Sequence, residues 1–130
     1  MSVKLDARIF KSKWFVRFAH KERISDAKLC EAISDADKGN VNADYGGGVI
    51  KQRIARPGQG KSGSYRSIIY YRRGDKAFYV YGFSKKDRDN IADDEVREFK
   101  RQAKLTLALS DADLSKLLAN ETYQEVDCHE

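Results

Sequence analysis

Residues 48–88 carry eleven Lys or Arg side chains against two carboxylates, Asp75 and Asp87, a local charge of +9 in a chain whose net charge is +5. Cations packed this densely attract a polyanion. The same stretch holds Tyr65, Tyr70, Tyr71, Tyr79 and Tyr81, and basic side chains interleaved with aromatic rings suit a surface that grips phosphates and stacks on bases. A merely solvated face would mix both signs of charge. In the loop at residues 56–64, Gly58, Gly60 and Gly63 free the backbone while Arg56 and Lys61 supply charge. Lys51, Arg53 and Arg66 flank it, so it is able to close over a strand of RNA. The run Gly60-Lys61-Ser62 imitates the end of a nucleotide-binding phosphate loop. However, Ala55 stands where that motif needs a glycine, and the chain then enters a strand rather than a helix. Nucleotide hydrolysis is thereby set aside.

These side chains need elements to hold them. Trp14, Phe15, Phe18 and Ala19 recur at helical spacing and predict a first helix over residues 11–21, after an apolar entry at Ile9 and Phe10. Trp14 reads as a core anchor of that helix and His20 as a surface residue. Ser25 and Asp26 open a second helix that runs to about Lys38, with Gly39 beyond its end. From Val49 the period changes to two, with Ile50 and Ile54 on one face and Val49, Lys51, Arg53 and Ala55 on the other, until Pro57 and Gly58 end the run. Residues 65–72 and 77–83 are β-branched and aromatic, with a hairpin loop at 73–76 between them. Two last helices, at 93–109 with Val96, Phe99, Ala103 and Leu107 in register and at 112–119, meet near Ser110. The expected fold class is α+β: two N-terminal helices packed on a small antiparallel sheet, with a C-terminal helical extension.

At 130 residues and 14.8 kDa the chain is the size of one domain, and 41% hydrophobic residues suffice for a core, which excludes a disordered chain. No apolar run approaches the roughly 20 residues that cross a bilayer, and the start has no signal-peptide core, so the cytoplasm is the expected address. Cys30 and Cys128 are isolated and form neither a disulfide framework nor a zinc pattern. The fold is expected to stand without staples and the function to need no metal or cofactor. His129, beside Cys128, reads as part of a frayed tail.

The order of elements resembles the RelE/HigB superfamily of bacterial toxins from type II toxin-antitoxin systems. So do the stretches Gly47-Gly48-Val49-Ile50-Lys51-Gln52-Arg53, Arg56-Pro57-Gly58-Gln59-Gly60-Lys61-Ser62-Gly63-Ser64-Tyr65-Arg66 and Tyr81-Gly82-Phe83-Ser84-Lys85-Lys86. The resemblance covers about residues 7–92, leaving 93–130 as C-terminal helices and tail. Members that look like this are compact ribosome-dependent endoribonucleases that cut messenger RNA in the ribosomal A site. The resemblance thus implies an mRNA interferase that inhibits translation, with RNA and the ribosome as partners. It also implies a cognate antitoxin encoded beside it, of the helix-turn-helix type.

RNA cleavage without a metal uses the ribose 2′-hydroxyl as nucleophile and requires a proton acceptor, charge stabilisation at the phosphate and a proton donor to the leaving oxygen. No histidine lies between residues 21 and 128, and Asp75 and Asp87 sit in or near turns, so neither a histidine pair nor a two-carboxylate metal site has a supplier. A lysine crowded by other cations can serve as base, because like charges disfavour its protonated form. By match to the family's motif, Arg66 holds the scissile phosphate, Lys51, Arg53 and Lys61 provide charge and proton transfer, and Lys85 and Lys86 line the end of the site. Arg56 adds a further RNA contact from the loop. Some relatives carry a tyrosine or histidine after the last strand, where this chain has Asp89, Asn90, Ile91 and Ala92, so the motif assigns no general base there. Tyr70, Tyr71, Tyr79 and Tyr81 are substitutes in type, although alternation along strands reads as core. Two other functions stay open: a toxin-fold protein that poisons a topoisomerase, which needs no clustered proton-transfer residues, and a non-catalytic RNA-binding or regulatory module, which as a DNA binder would show a helix-turn-helix.

Overall fold

The computed structural model describes residues 7–56 and 64–128. In chain order the elements are β1 (Arg8–Ser12), α1 (Lys13–Glu22), α2 (Asp26–Asp37), β2 (Ala43–Gly46), β3 (Val49–Ile54), β4 (Tyr65–Arg72), β5 (Lys76–Ser84), α3 (Asp93–Leu107), α4 (Asp111–Ala119) and β6 (Tyr123–Val126). The class is α+β, as expected, but the sheet has six strands in the order β2-β3-β4-β5-β1-β6. All neighbours are antiparallel except β1 and β5.

Local chemistry places the helix boundaries. The Ser12 hydroxyl accepts from the Phe15 amide at 3.2 Å, so α1 begins at Lys13 rather than Lys11. Ile9 and Phe10, expected as an apolar entry to the helix, are instead strand residues buried on opposite sides of the sheet, as the period-two alternation of a strand requires. Ser25 and Ser110 cap α2 and α4 in the same way, accepting from Lys28 and Asp113 amides. Glu95 reaches back to the Ala92 amide at 2.9 Å and steadies the start of α3.

Two cores flank the sheet. On one face α1 and α2 bury Phe15, Leu29 and Ile33 against Ile50, Ile54, Ile69 and Tyr79, with the Tyr79 hydroxyl donating to the Leu29 carbonyl at 2.8 Å. On the other face α3 and α4 bury Ala103, Leu107 and Leu114 against Val49, Ile68, Tyr70 and Phe78. The apolar register at Val96, Phe99, Ala103 and Leu107 is thus the stripe that covers the second face. Trp14 is not the expected core anchor: it remains 39% exposed, because Phe15 and Ala19 carry the buried stripe of α1 and Trp14 sits one step around the helix from it.

The cysteines also depart from expectation. Cys30 of α2 and Cys128, just after β6, form a disulfide across 98 residues of sequence, with Cα atoms 5.8 Å apart. Because β6 pairs with β1 at the edge of the sheet, the bond ties that edge to the helical layer. Among the described residues no helix is long and apolar enough to cross a membrane.

The turn from β2 to β3 yields a first prediction. Gly48 has φ +84°, and a Cβ there would lie 2.6 Å from Leu107 Cδ1 of α3. Gly48→Ala combines a left-handed backbone with overpacking and is expected to lower stability by about 1–3 kcal/mol. Urea unfolding of the purified variant measures this, and a midpoint equal to that of the parent would contradict the packing of α3 on this turn.

Candidate functional site

Strand register brings the basic residues together. Val49, Lys51 and Arg53 alternate along β3, and Arg66, Ile68 and Tyr70 along β4, all on the face covered by α3. Towards one end of that face the apolar positions give way to cations, and Arg53 stands directly opposite Arg66 in the antiparallel ladder. On β5, Phe83 is the partner of Arg66 on its other side. Like charges facing across a ladder destabilise it. Among the described residues Lys51, Arg53, Arg66 and Lys85 enter no ion pair.

Arg66 is only 5% exposed, and its Nη1 donates to the Ser64 carbonyl and hydroxyl at 3.2 and 2.8 Å. Ser64 therefore tethers the guanidinium where the basic loop re-enters the sheet. Burial and the neighbouring Arg53 lower the pKa of Arg66, yet a guanidinium remains charged at any physiological pH. Lys51 Nζ donates to Asn90 Oδ1 at 3.2 Å, an oxygen that also accepts from the Tyr45 hydroxyl at 3.3 Å. Its pKa is pushed below the ordinary 10.5, first by burial and then by Arg66, Lys85 and Arg53. Lys51 is thus a lysine crowded by cations, with the physical attributes of a proton acceptor.

The sequence assigns no role to Arg88, and Asn90 enters it only as part of the stretch where some relatives carry a tyrosine or histidine. Arg88 Nε donates to the Asn90 carbonyl at 2.9 Å and Nη1 to the Tyr81 hydroxyl at 3.1 Å, while the guanidinium is salt-bridged to Glu95 at the start of α3. These bonds raise the pKa of Arg88 and lower that of Glu95. The acidic opening of α3, Asp93-Asp94-Glu95, was the one sequence clue that a cation would be held there.

Other candidates are placed differently. Lys85 is exposed after β5 and near enough to act on Lys51, whereas Lys86 is exposed and bonds no described residue. The Arg56 guanidinium lies over the Tyr65 ring, 5.1 Å from its centroid, on a side chain that faces α1 and α2 rather than the Lys51 face. Lys61, with Gly58, Gly60 and Gly63, lies outside the described residues. Burial pushes the pKa of Tyr70 and Tyr79 up, and burial together with a bond to Asp37 does the same to Tyr71, so none of the three is suited to accept a proton. The Tyr81 hydroxyl is occupied by Arg88. Among the described residues no group of three or more His, Cys, Asp or Glu side chains could hold a metal ion.

A sequence model of a family described as the RelE toxin of the RelE / RelB toxin-antitoxin system matches residues 7–126. That span runs from β1 to the end of β6 and so takes in α3 and α4, beyond residue 92 where the motif resemblance ends. No individual curated protein shows significant similarity to the chain.

Proposed function

The chain belongs to the RelE toxin family, and from that premise we propose that its basic sheet end cleaves messenger RNA on the translating ribosome. Membership makes it the toxin of a toxin-antitoxin pair, with a cognate antitoxin as partner. The observation that carries the finer reading is the pair Arg53 and Arg66, ladder partners close enough for one charge to act on the other, neither in an ion pair with a described residue. Such a pair weakens the sheet when empty and is relieved when a phosphate sits between the charges.

In this reading Arg66 and Arg53 hold the scissile phosphate and stabilise the charge that builds on its oxygens. Lys51 accepts the proton of the ribose 2′-hydroxyl, and Lys61 returns one to the leaving 5′-oxygen. Arg56, Lys85 and Lys86 grip the flanking backbone. Proton transfer by a lysine held against an asparagine is modest catalysis, so positioning of the strand by the ribosome supplies much of the rate. Primer extension on a translated and an untranslated copy of one message tests this: cutting confined to the translated copy is expected, and equal cutting of both would refute ribosome dependence. The partner that silences such a site is an antitoxin of the helix-turn-helix type, whose complex with this surface weakens as salt rises.

The lowered pKa of Lys51 gives a signed expectation. Cleavage rises with pH as Lys51 loses its proton and levels off below the ordinary lysine range. Lys51→Arg, which keeps its proton, is expected to be about a hundredfold slower with the rise removed. Stability moves in the same direction: between the depressed pKa and 10.5 the unfolded chain binds more protons at this residue than the folded one, so unfolding free energy increases with pH across that window. Thermal melts of the parent and Lys51→Met across that window check it; parallel curves would show that Lys51 is not strained.

A further inference from the structure

Trp14 is the one tryptophan of the chain, and it lies at the surface, 39% exposed, in the first turn of α1. Its position follows from the strand lengths. β1 pairs with β5 only as far as Lys11 and Tyr79, after which Ser12 caps α1 and the chain turns away. The segment of β5 beyond Tyr79 therefore lacks a strand on that side, and the Trp14 ring occupies the place, 4.6 Å from the Tyr81 ring and stacked on Phe18 at 5.3 Å.

The rings form a row that leads into the site. Tyr81 lies 6.0 Å from Phe83, the Arg88 guanidinium sits over both, and Phe83 is the ladder partner of Arg66. Exposed cations neighbour the indole on α1: Lys13, Arg17 and Lys21 recur every fourth residue and none enters an ion pair with a described residue, Lys13 and Arg17 turning towards a cleft that Glu121 and Glu125 also line. A side chain whose task was to shield a strand edge from water would be served by a fully covered aliphatic group. An open indole backed by a second ring and flanked by cations is instead the arrangement on which single-stranded nucleic acids stack.

We propose that Trp14 is a stacking station for an unpaired base of the messenger RNA strand whose phosphate is held at Arg53 and Arg66. The proposal rests on the cleavage reading for the identity of the strand, and it adds a positioning residue on an element that carries none of the reacting groups. Stacking one base at Trp14 would fix the direction in which the strand crosses the sheet end and would favour flat, readily unstacked bases at one position beside the cut.

The lone indole is its own reporter. Full-length protein titrated with a single-stranded RNA made uncleavable by 2′-O-methyl riboses is expected to lose much of its tryptophan emission. Inorganic polyphosphate, which offers the charge without bases, and a blunt duplex of the same sequence, whose bases are already stacked, are expected to bind with little quenching. In anisotropy titrations Trp14→Ala is expected to bind the single strand about tenfold more weakly, the loss of one base–aromatic stack, and Trp14→Phe to recover most of the difference. Melts of both variants separate a folding defect from a binding one, and the quenching requires no variant. Quenching by polyphosphate equal to that by RNA, binding without quenching, or undiminished affinity in Trp14→Ala would each overturn the proposal. Quenching by an RNA that is never cut on ribosomes would leave the stacking station standing and remove the cleavage reading. Cutting of translated message with Trp14 emission undisturbed by RNA would do the reverse.

Discussion

Cells induced to make the Arg66→Gln protein are expected to form colonies as if uninduced, and the purified variant to cut translated message at least about a hundredfold more slowly than its parent, the scale of losing one preorganised charge-stabilising donor. Glutamine keeps a polar amide but ends short of the Nη1 atom that bonds the Ser64 carbonyl and hydroxyl, so it removes the charge together with that tether. The same substitution separates one of two guanidiniums that face each other in register, so its thermal midpoint is expected to be unchanged or higher. Inactivity with retained or raised stability is the signature of a residue kept for function. A toxic Arg66→Gln protein would remove Arg66 from the site, and a large fall in midpoint would make it a structural residue.

Loss of the Cys30–Cys128 bond is expected to have the largest effect on stability. The crosslink spans 98 residues, and in the chain-entropy account a loop of about that length contributes between 4 and 5 kcal/mol by restricting the unfolded chain. Besides the bond, β6 is held by its ladder to β1, by Glu125 paired with Arg8, and by Val126, its one buried side chain. Urea unfolding of the oxidised parent, the parent in dithiothreitol and Cys128→Ser is expected to give one high midpoint and two coincident low ones. Three equal midpoints would show that the bond adds nothing to the fold.

What the sequence made legible follows from the range of the interactions. α2, the β4–β5 hairpin and the α3–α4 pair are written locally, in Ser25, in the loop from Arg73 to Lys76 and in Ser110, and each lies within two or three residues of its expected bounds. The alternation that puts Lys51 and Arg53 on one face of β3 was equally readable. β1 and β6 were not: a two-residue apolar pair beside a helix and a four-residue segment with one buried position become strands only by pairing with each other and with β5, more than 60 residues from β1. The disulfide is non-local in the same sense. Trp14 satisfied a helical count, but whether a ring at that count is covered depends on where β1 stops along β5. In the site, type and spacing identified the cations, while the roles of Asn90 and Arg88 depend on the path of the connection between β5 and α3.

The position of β1 between β5 and β6 sets an order on synthesis. The first strand emerges from the ribosome early, its parallel partner at Lys76–Ser84 much later and its antiparallel partner at Tyr123–Val126 later still. At about 5–20 residues per second the edge of β1 waits on the order of ten seconds for β6, and a long wait for distant partners is the slow feature of such topologies. The β3–β4 hairpin that sets Arg53 against Arg66 is local and can close during that interval. The nascent toxin therefore assembles its charged pair before its sheet is complete, and in that interval any extended segment able to stand in for β6 can occupy the open edge. The Cys30–Cys128 bond can close only when the strand has arrived, so it marks the moment at which that vacancy ends.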